Sequence, residues 1–374
     1  MGERINKKVL FFVGLFAIVS ILSIYCASLY TSSSLGNLEL KQTLWYIAGI
    51  VVIFGVVKLK NKFFYQTTWL LYWFGISLLV LLLLFGKEIN NSKCWFIIPG
   101  IGSFQPSEFM KLFIMLALGQ SISEFKAKNI SPSVFQEFLF LLKSLLIVFL
   151  PSLLTFLQPD TGAVIMYLVI YIFMMFVAGI RLRWFMAAII FAAIIFGSIG
   201  AIYLTNEKIF VDIFGTSLYY RIERLFMWKN GTGLQLENAI SAIGSAGMFG
   251  HGFNNTPIYF PEAATDFIFA VFASNFGFIA VLLFLSLIVA FDGYVIFLML
   301  RTNKSFNKNI LAGILGMLLF QQIQNIGMTI GIFPITGITL PFISYGGSSL
   351  ISYMIIIGII INIASEKKER FKYQ

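Results

Sequence analysis

The chain has 374 residues, 59% of them apolar and 11% charged, with a mean hydropathy of +0.90. That composition excludes a water-soluble globular domain, and the two cysteines, Cys26 in an apolar run and Cys94 in a loop, exclude a disulfide scaffold. A net charge of +10 would point to nucleic acid in a soluble protein, but here the basic residues lie in short segments between apolar runs, where they report orientation, so no nucleic-acid partner is expected.

Ten apolar runs follow one another at about 8–30, 42–57, 66–86, 104–123, 138–157, 161–180, 184–205, 265–300, 309–331 and 343–364. Each approaches or exceeds the ~20 residues that cross ~30 Å of hydrocarbon. They predict an all-α membrane protein, a single polytopic domain over 1–374 with ten transmembrane helices. The first run follows Lys7 and Lys8 but lacks a small-residue cleavage site, so it reads as an anchor. With a cytoplasmic N-terminus, 17 of the 26 Lys and Arg fall inside, 7 outside, and Lys111 and Lys143 within spans. The positive-inside rule then puts both termini in the cytoplasm and residues 206–264 in one large extracellular loop between spans seven and eight. A loop this long has a function more often than not. Its Gly-rich, amphipathic middle, 234–253, is expected to fold back along the membrane surface.

Ionisable groups within spans are costly and mark function by default. Glu108 and Lys111 are three apart on one helix, share a face and can pair, either as a structural ion pair or as part of a site. Lys143 and Asp292 lie near cytoplasmic span ends, where snorkelling suffices. Two helix starts share one design, Gln105-Pro106-Ser107-Glu108 and Gln158-Pro159-Asp160-Thr161. Each has Pro at a first-turn position and an acid where the helix dipole favours negative charge. Simple capping explains both. For Asp160, capping would lower the carboxyl pKa and burial would raise it, and the two effects oppose.

The same orientation gathers Asp160, Glu262 and Asp266 outside, with Glu207, Asp212, Glu223 and Glu237. The long loop adds Arg221, Arg224 and Lys229 near Tyr219, Tyr220 and Trp228, suited either to a phosphate-bearing ligand or to anchoring at headgroup level. The sole histidine is His251, and no His/Cys cluster is present, so no zinc site is expected. Nor is there a Walker A, dinucleotide or nucleophile-elbow motif. The segment 336–349, with Ser344 and Tyr345, is rich in Gly and hydroxyls and sits at the outer mouth, where small residues let backbones approach.

At these residues the sequence resembles the SEDS family of bacterial shape, elongation, division and sporulation proteins, the RodA and FtsW relatives. The matching motifs run in order along nearly the whole chain: Phe104 to Leu112 (FQPSE-x-x-KL), Gln158 to Gly162 (QPD-x-G), Tyr220 with Arg224, Ala242 to Gly252, Pro261-Glu262, Thr265 to Phe269 (TDFIF), Asn325 to Met328 and Pro341 to Ser349. The resemblance implies a peptidoglycan glycosyltransferase. It would polymerise lipid II at the outer face of the bacterial plasma membrane, release undecaprenyl pyrophosphate and work with a class B penicillin-binding protein among membrane lipids. It gives Asp160 the catalytic role, with Glu108, Lys111, Arg221, Arg224, Glu262, Asp266, Ser344 and Tyr345 as substrate-binding residues. No protein-held metal is implied, although a divalent cation, Mg or Mn, could assist the pyrophosphate.

The chain departs from the family pattern at Ala264, where His is usual, and at Ser274 and Asn275, where an acidic pair is usual. Ala246, Leu234 and Asn91-Ser92 also differ. Two alternatives stay open: a non-catalytic scaffold that positions a penicillin-binding protein, and a lipid II flippase.

Overall fold

The computed structural model describes residues 6–28, 37–86, 93–98, 102–206, 208–216, 219, 233–259 and 261–371. The elements are α1 (Lys7–Ser28), α2 (Leu38–Phe85), a short antiparallel hairpin of β1 (Phe96–Ile98) and β2 (Gly102–Phe104), α3 (Pro106–Lys128), α4 (Val134–Leu157), α5 (Thr161–Val177), α6 (Leu182–Thr205), α7 (Leu234–Ser245), α8 (Ile268–Arg301), α9 (Ser305–Thr329) and α10 (Gly347–Phe371). Among the described residues, seven helices are long and apolar enough to cross a membrane by length and composition. The chain is a multi-pass membrane protein.

Seven differs from the ten predicted runs for physical reasons. The second and third runs fall within the single 48-residue α2, which leaves helical geometry only at Lys60 (φ 60°, ψ 159°), inside the basic stretch 58–62 that separates them. Both ends of α2 lie at one end of the bundle: Trp45 sits against Gly347, and the Leu79 carbonyl accepts from Gln158. The fourth run, α3, carries Glu108, Lys111, Glu124, Lys126 and Lys128, and the sixth, α5, is only 17 residues long.

Helices α3, α9 and α10 form the centre and are buried nearly all round, so their apolar residues show no single stripe. Buried polar groups here are joined across helices. Gln321 on α9 donates to the Tyr353 hydroxyl of α10 (2.9 Å), and Ser20 and Gln42 bond to each other and to the carbonyls of Ile343 and Ser344. Asp292, expected to snorkel, is instead 5% exposed on α8 and bonded by the Gln322 amide of α9. A donor on the facing helix removes the need to reach water. Lys143 is exposed, as expected. At the other extreme, α6 buries none of its residues.

Helix α8 is interrupted at Gly277 (φ 74°, ψ −174°). An intact helix would pair the Phe278 and Ile279 N–H groups with the Ser274 and Asn275 carbonyls. Here the segment after α7 enters the gap and takes all four groups. Phe278 N donates to Gly247 O (3.1 Å) and Ile279 N to Met248 O (3.2 Å), while His251 N and Gly252 N donate to Ser274 O (3.0 Å) and Asn275 O (3.2 Å). The approach is so close that a Cβ on Gly250 would lie 2.2 Å from the Asn275 oxygen, and one on Gly277 2.2 Å from the Gly250 nitrogen. The amphipathic reading of 234–253 is thus helical only over α7, which buries Leu236, Ala239 and Ala242.

Candidate active site

Asp160 stands between α4 and α5 as the N-cap of α5. Its Oδ1 accepts the Ala163 N–H (3.0 Å), while Oδ2 accepts from Gln105 Nε2 (3.0 Å) and from the Ser107 hydroxyl (3.1 Å). Pro106 occupies the first turn of α3, as predicted, but Pro159 precedes the cap, so it shapes the α4–α5 turn instead of opening the helix. Burial pushes the Asp160 carboxyl up, against the Ala163 N–H and with the help of the Glu108 charge. The opposing effects foreseen for this residue are both present, and burial wins.

The FQPSE turn therefore packs onto the QPD turn, and neighbours hold both. The Ser348 hydroxyl accepts from Gln105 N (3.1 Å) and donates to Ser103 O (3.0 Å), tying α10 to the hairpin and to α3. Tyr167 donates to Ser107 O (3.1 Å) and Cys94 to Gln158 O (3.0 Å). One turn into α3, Lys111 Nζ meets Glu108 Oε2 at 2.7 Å, with the ammonium 5.5 Å from the centre of the Tyr353 ring. The i, i+3 pair is formed as the spacing predicts, and its charges act on Asp160.

Asp266 lies just before α8 in a second acidic group. Burial, with the Glu262 charge adding to it, pushes its carboxyl up to about 7. Among the described residues, no hydrogen-bond donor reaches that carboxylate; the Asp266 backbone carbonyl, by contrast, accepts from Asn325 Nδ2 (2.8 Å). Glu262 has left-handed backbone (φ 55°), is exposed, and accepts the Thr265 hydroxyl through Oε2 (2.7 Å). Ser344, read as substrate-binding, spends its hydroxyl on the backbone: it donates to Thr265 O (2.6 Å) and accepts from Leu340 N (2.9 Å) at 5% exposure. Tyr345 is half-buried and its N–H donates to Ala264 O (2.8 Å). Arg221 and Arg224 lie outside the described residues.

The segment 336–338 links the two acidic groups. Gly162, two residues after Asp160, packs against Ile338 and the Thr336 carbonyl, and Gly337 faces the Asp266 carboxylate. Asn325 on α9 donates to the carbonyls of both Asp266 and Ile338, each at 2.8 Å. Asp160 and Asp266 are therefore at one end of the bundle, joined through this segment. The sequence reading did not assign roles to Gln105, Ser107, Asn325 or Tyr353; the first two stand inside the FQPSE motif and Asn325 opens another, whereas Tyr353 carries no local signal.

A profile of the cell cycle proteins FtsW, RodA and SpoVE matches residues 6–369. The chain belongs to that family. It is 35% identical over 306 residues to a protein of Coxiella burnetii named probable peptidoglycan glycosyltransferase FtsW, covering 78% of this chain and 77% of that one. To stage V sporulation protein E of Bacillus subtilis it is 34% identical over 339 residues, covering 87% and 86%. The fold matches a solved chain from work on the coordination of polymerization and crosslinking by a peptidoglycan synthase complex. There the TM-score is 0.80 at 24% identity, covering 97% of this chain and 98% of that one. In this family member the ordered motifs thus come together at one end of the bundle: FQPSE and QPD make the Asp160 group, and PE with TDFIF makes the Asp266 group.

Proposed function

We propose that this FtsW/RodA/SpoVE family member is a peptidoglycan glycosyltransferase acting in cell-wall synthesis. Its substrate is lipid II, polymerised into glycan strands at the outer face of the bacterial plasma membrane. The observation that carries the reading is the contrast between two carboxylates at one end of the bundle. Asp160 has both oxygens engaged by three donors, whereas among the described residues none reaches the Asp266 carboxylate, which burial pushes up to about 7. A general base works best with free lone pairs and a pKa near the operating pH. Asp266 is therefore the better-suited base, and Asp160, to which the resemblance gives the catalytic role, is better suited to ordering the 105–107 turn beside it.

In this mechanism the acceptor 4-hydroxyl gives its proton to Asp266 and attacks C1 of the donor sugar from the face opposite the leaving group. The new glycosidic bond forms with inversion as the bond to undecaprenyl pyrophosphate breaks. Arg221 and Arg224 neutralise the departing pyrophosphate. Glu108 and Lys111 set the charge beside Asp160, and Tyr345 packs beside the Asp266 group through Ala264. A divalent cation, Mg or Mn, would supply positive charge to the pyrophosphate itself; among the described residues no cluster of three or more His, Cys, Asp or Glu side chains gathers to hold one.

The reading takes the two halves of α2 as separate spans, giving ten in all, with both termini cytoplasmic and 206–264 outside, so that both acidic groups meet the outer leaflet. A class B penicillin-binding protein is the partner. The test is polymerisation of fluorescent lipid II by the purified protein with that partner, comparing wild type, Asp266→Asn and Asp160→Asn. Ladders that vanish in Asp266→Asn and persist, weakened, in Asp160→Asn are expected. The reverse pattern returns the base to Asp160, and a well-folded wild type that makes no ladder leaves a scaffold.

A further inference from the structure

Three successive backbone carbonyls lead into α8, and each is held by a different residue. Ala264 O accepts from Tyr345 N (2.8 Å), Thr265 O from the Ser344 hydroxyl (2.6 Å), and Asp266 O from Asn325 Nδ2 (2.8 Å). The first two partners belong to the segment before α10, whereas Asn325 stands on α9, about one turn before its end at Thr329. The second hydrogen of the same amide goes to Ile338 O, also at 2.8 Å.

Asn325 is fully buried, and among the described residues its Oδ1 has no hydrogen-bond partner. A buried amide oxygen without a donor is costly, and an apolar side chain would fill the space without it. What an apolar side chain cannot supply is a planar amide that donates to two carbonyls at once. Those two carbonyls flank the Asp266 carboxylate. Ile338 follows Gly337, whose left-handed backbone (φ 70°) puts no side chain on that carboxylate; a Cβ there would lie 3.6 Å from Asp266 Oδ2. Ile338 also packs on Gly162, two residues after Asp160. One amide thus ties the backbone of Asp266 to the segment that links the two acidic groups. Gln324 holds the same segment further back, donating to Pro334 O (3.0 Å) and Thr336 Oγ1 (3.1 Å), with no bond to Asp266 among the described residues.

We propose that Asn325 is a positioning residue for the base: by joining Asp266 O to Ile338 O it fixes the Asp266 carboxyl against Gly337 and in place relative to Asp160. The proposal rests on the reading of Asp266 as the group that receives the acceptor's proton, and Asn325 acts only through the Asp266 backbone. Among the described residues Glu262 is the charged group acting on this carboxyl; Gly337 and Asn325 bring no charge to it. Loosening the carboxyl would let it turn to water, and its pKa would fall toward the ordinary carboxylate range.

The experiment compares wild type, Asn325→Ala and Gln324→Ala in the full chain, each with and without Asp266→Asn, by two readouts. The first is polymerisation of fluorescent lipid II with the penicillin-binding partner as a function of pH. Asn325→Ala should lower kcat by about ten- to a hundredfold with KM for lipid II little changed, the scale of a misplaced reacting group. It should also move the midpoint of the pH–rate profile below about 7. Gln324→Ala, which frees the segment but not Asp266, should lower the melting temperature and leave the midpoint in place.

The second readout needs no activity. The folded state binds the Asp266 proton more tightly than the unfolded chain does, so its ionisation destabilises the fold as pH rises from about 4 to about 7, and Asp266→Asn raises the melting temperature at about pH 8. That rise should shrink at least about twofold in the Asn325→Ala background and stay whole with Gln324→Ala. If Asn325→Ala does not fold, Asn325→Ser, which keeps one donor, should show both shifts at partial size. An unchanged midpoint or an unshrunk rise in a folded Asn325 variant overturns the proposal, since the residue would then serve stability alone. Ladders that persist in Asp266→Asn overturn the reading of Asp266 as the base, and with it the catalytic sense of the proposal; the melting readout is separate and still decides whether Asn325 places that carboxyl.

Discussion

Lys111 of α3 holds its ammonium 2.7 Å from Glu108 and 5.5 Å from the centre of the Tyr353 ring, with its side chain only 2% exposed. The Tyr353 hydroxyl is in turn bonded to Gln321, so α9 and α10 set the position of a charge on α3. This chain of contacts fixes the carboxylate of Glu108 beside Asp160.

Breaking that buried pair from either side is expected to be costly. Lys111→Met or Glu108→Gln leaves one uncompensated charge in the interior, an effect of about 3–5 kcal/mol. The double variant should recover much of the loss. Thermal unfolding in detergent of the two singles and the double measures it, and a double variant no better than the singles would mean that each residue has a separate partner.

Polymerisation should depend on pH through Asp266. The base must be ionised, so with its pKa at about 7 the rate should be flat above that value and fall about tenfold per unit below it. Glu262→Gln removes the charge that helps raise Asp266, so the midpoint should move down. The stability effect has the opposite sign. The folded state binds this proton more tightly than the unfolded chain does, so ionising Asp266 destabilises the fold as pH rises from about 4 to about 7. Asp266→Asn should therefore raise the melting temperature at pH 8 and lose that advantage toward pH 4.

The cap at Asp160 gives a separate signature. Asn caps a helix about as well as Asp, whereas Ala forfeits about 1 kcal/mol. Asp160→Asn keeps an acceptor for the Ala163 N–H but loses the one for Gln105 and Ser107, so it should melt below wild type, and Asp160→Ala, which loses the cap as well, should melt earlier still. Equal melting of the two would show that the Ala163 N–H does not depend on the side chain.

Gly250→Ala and Gly277→Ala should each destabilise the protein severely, because the new methyl meets backbone at 2.2 Å and the backbone has positive φ. Gly244→Ala, with open space around it, is the matched control. Expression level and melting temperature read out all three.

Much of this was legible in the chain itself. Apolar run length marks the helices, and the i, i+3 spacing of Glu108 and Lys111 leads to the pair that forms. Local patterns fail where partners come from afar. Asp160 and Asp266 are both acids beside a helix start, and two of the three donors that engage Asp160, at Gln105 and Ser107, lie more than 50 residues away in the chain, whereas among the described residues none reaches the Asp266 carboxylate. Asp292 reads as a snorkelling residue until Gln322, on another helix, supplies its bond. The turn at Lys60 is marked by its lysines, yet the helical hydrogen bonds run up to it on both sides, so composition alone sees two segments where the backbone has one broken element.

The stitched gap in α8 has a bearing on how the protein is made. Every group that closes the gap lies N-terminal to Ile279, so residues 247–252 are already synthesised when Ser274 to Ile279 leave the ribosome. Four backbone groups exposed to lipid would each cost several kcal/mol, and here they can be paired without waiting for α9 or α10. Circular permutation that placed 247–252 after α10 would preserve the final contacts but leave the nascent helix open during insertion. Order along the chain, as well as shape, is thus part of what allows a broken helix in this membrane protein.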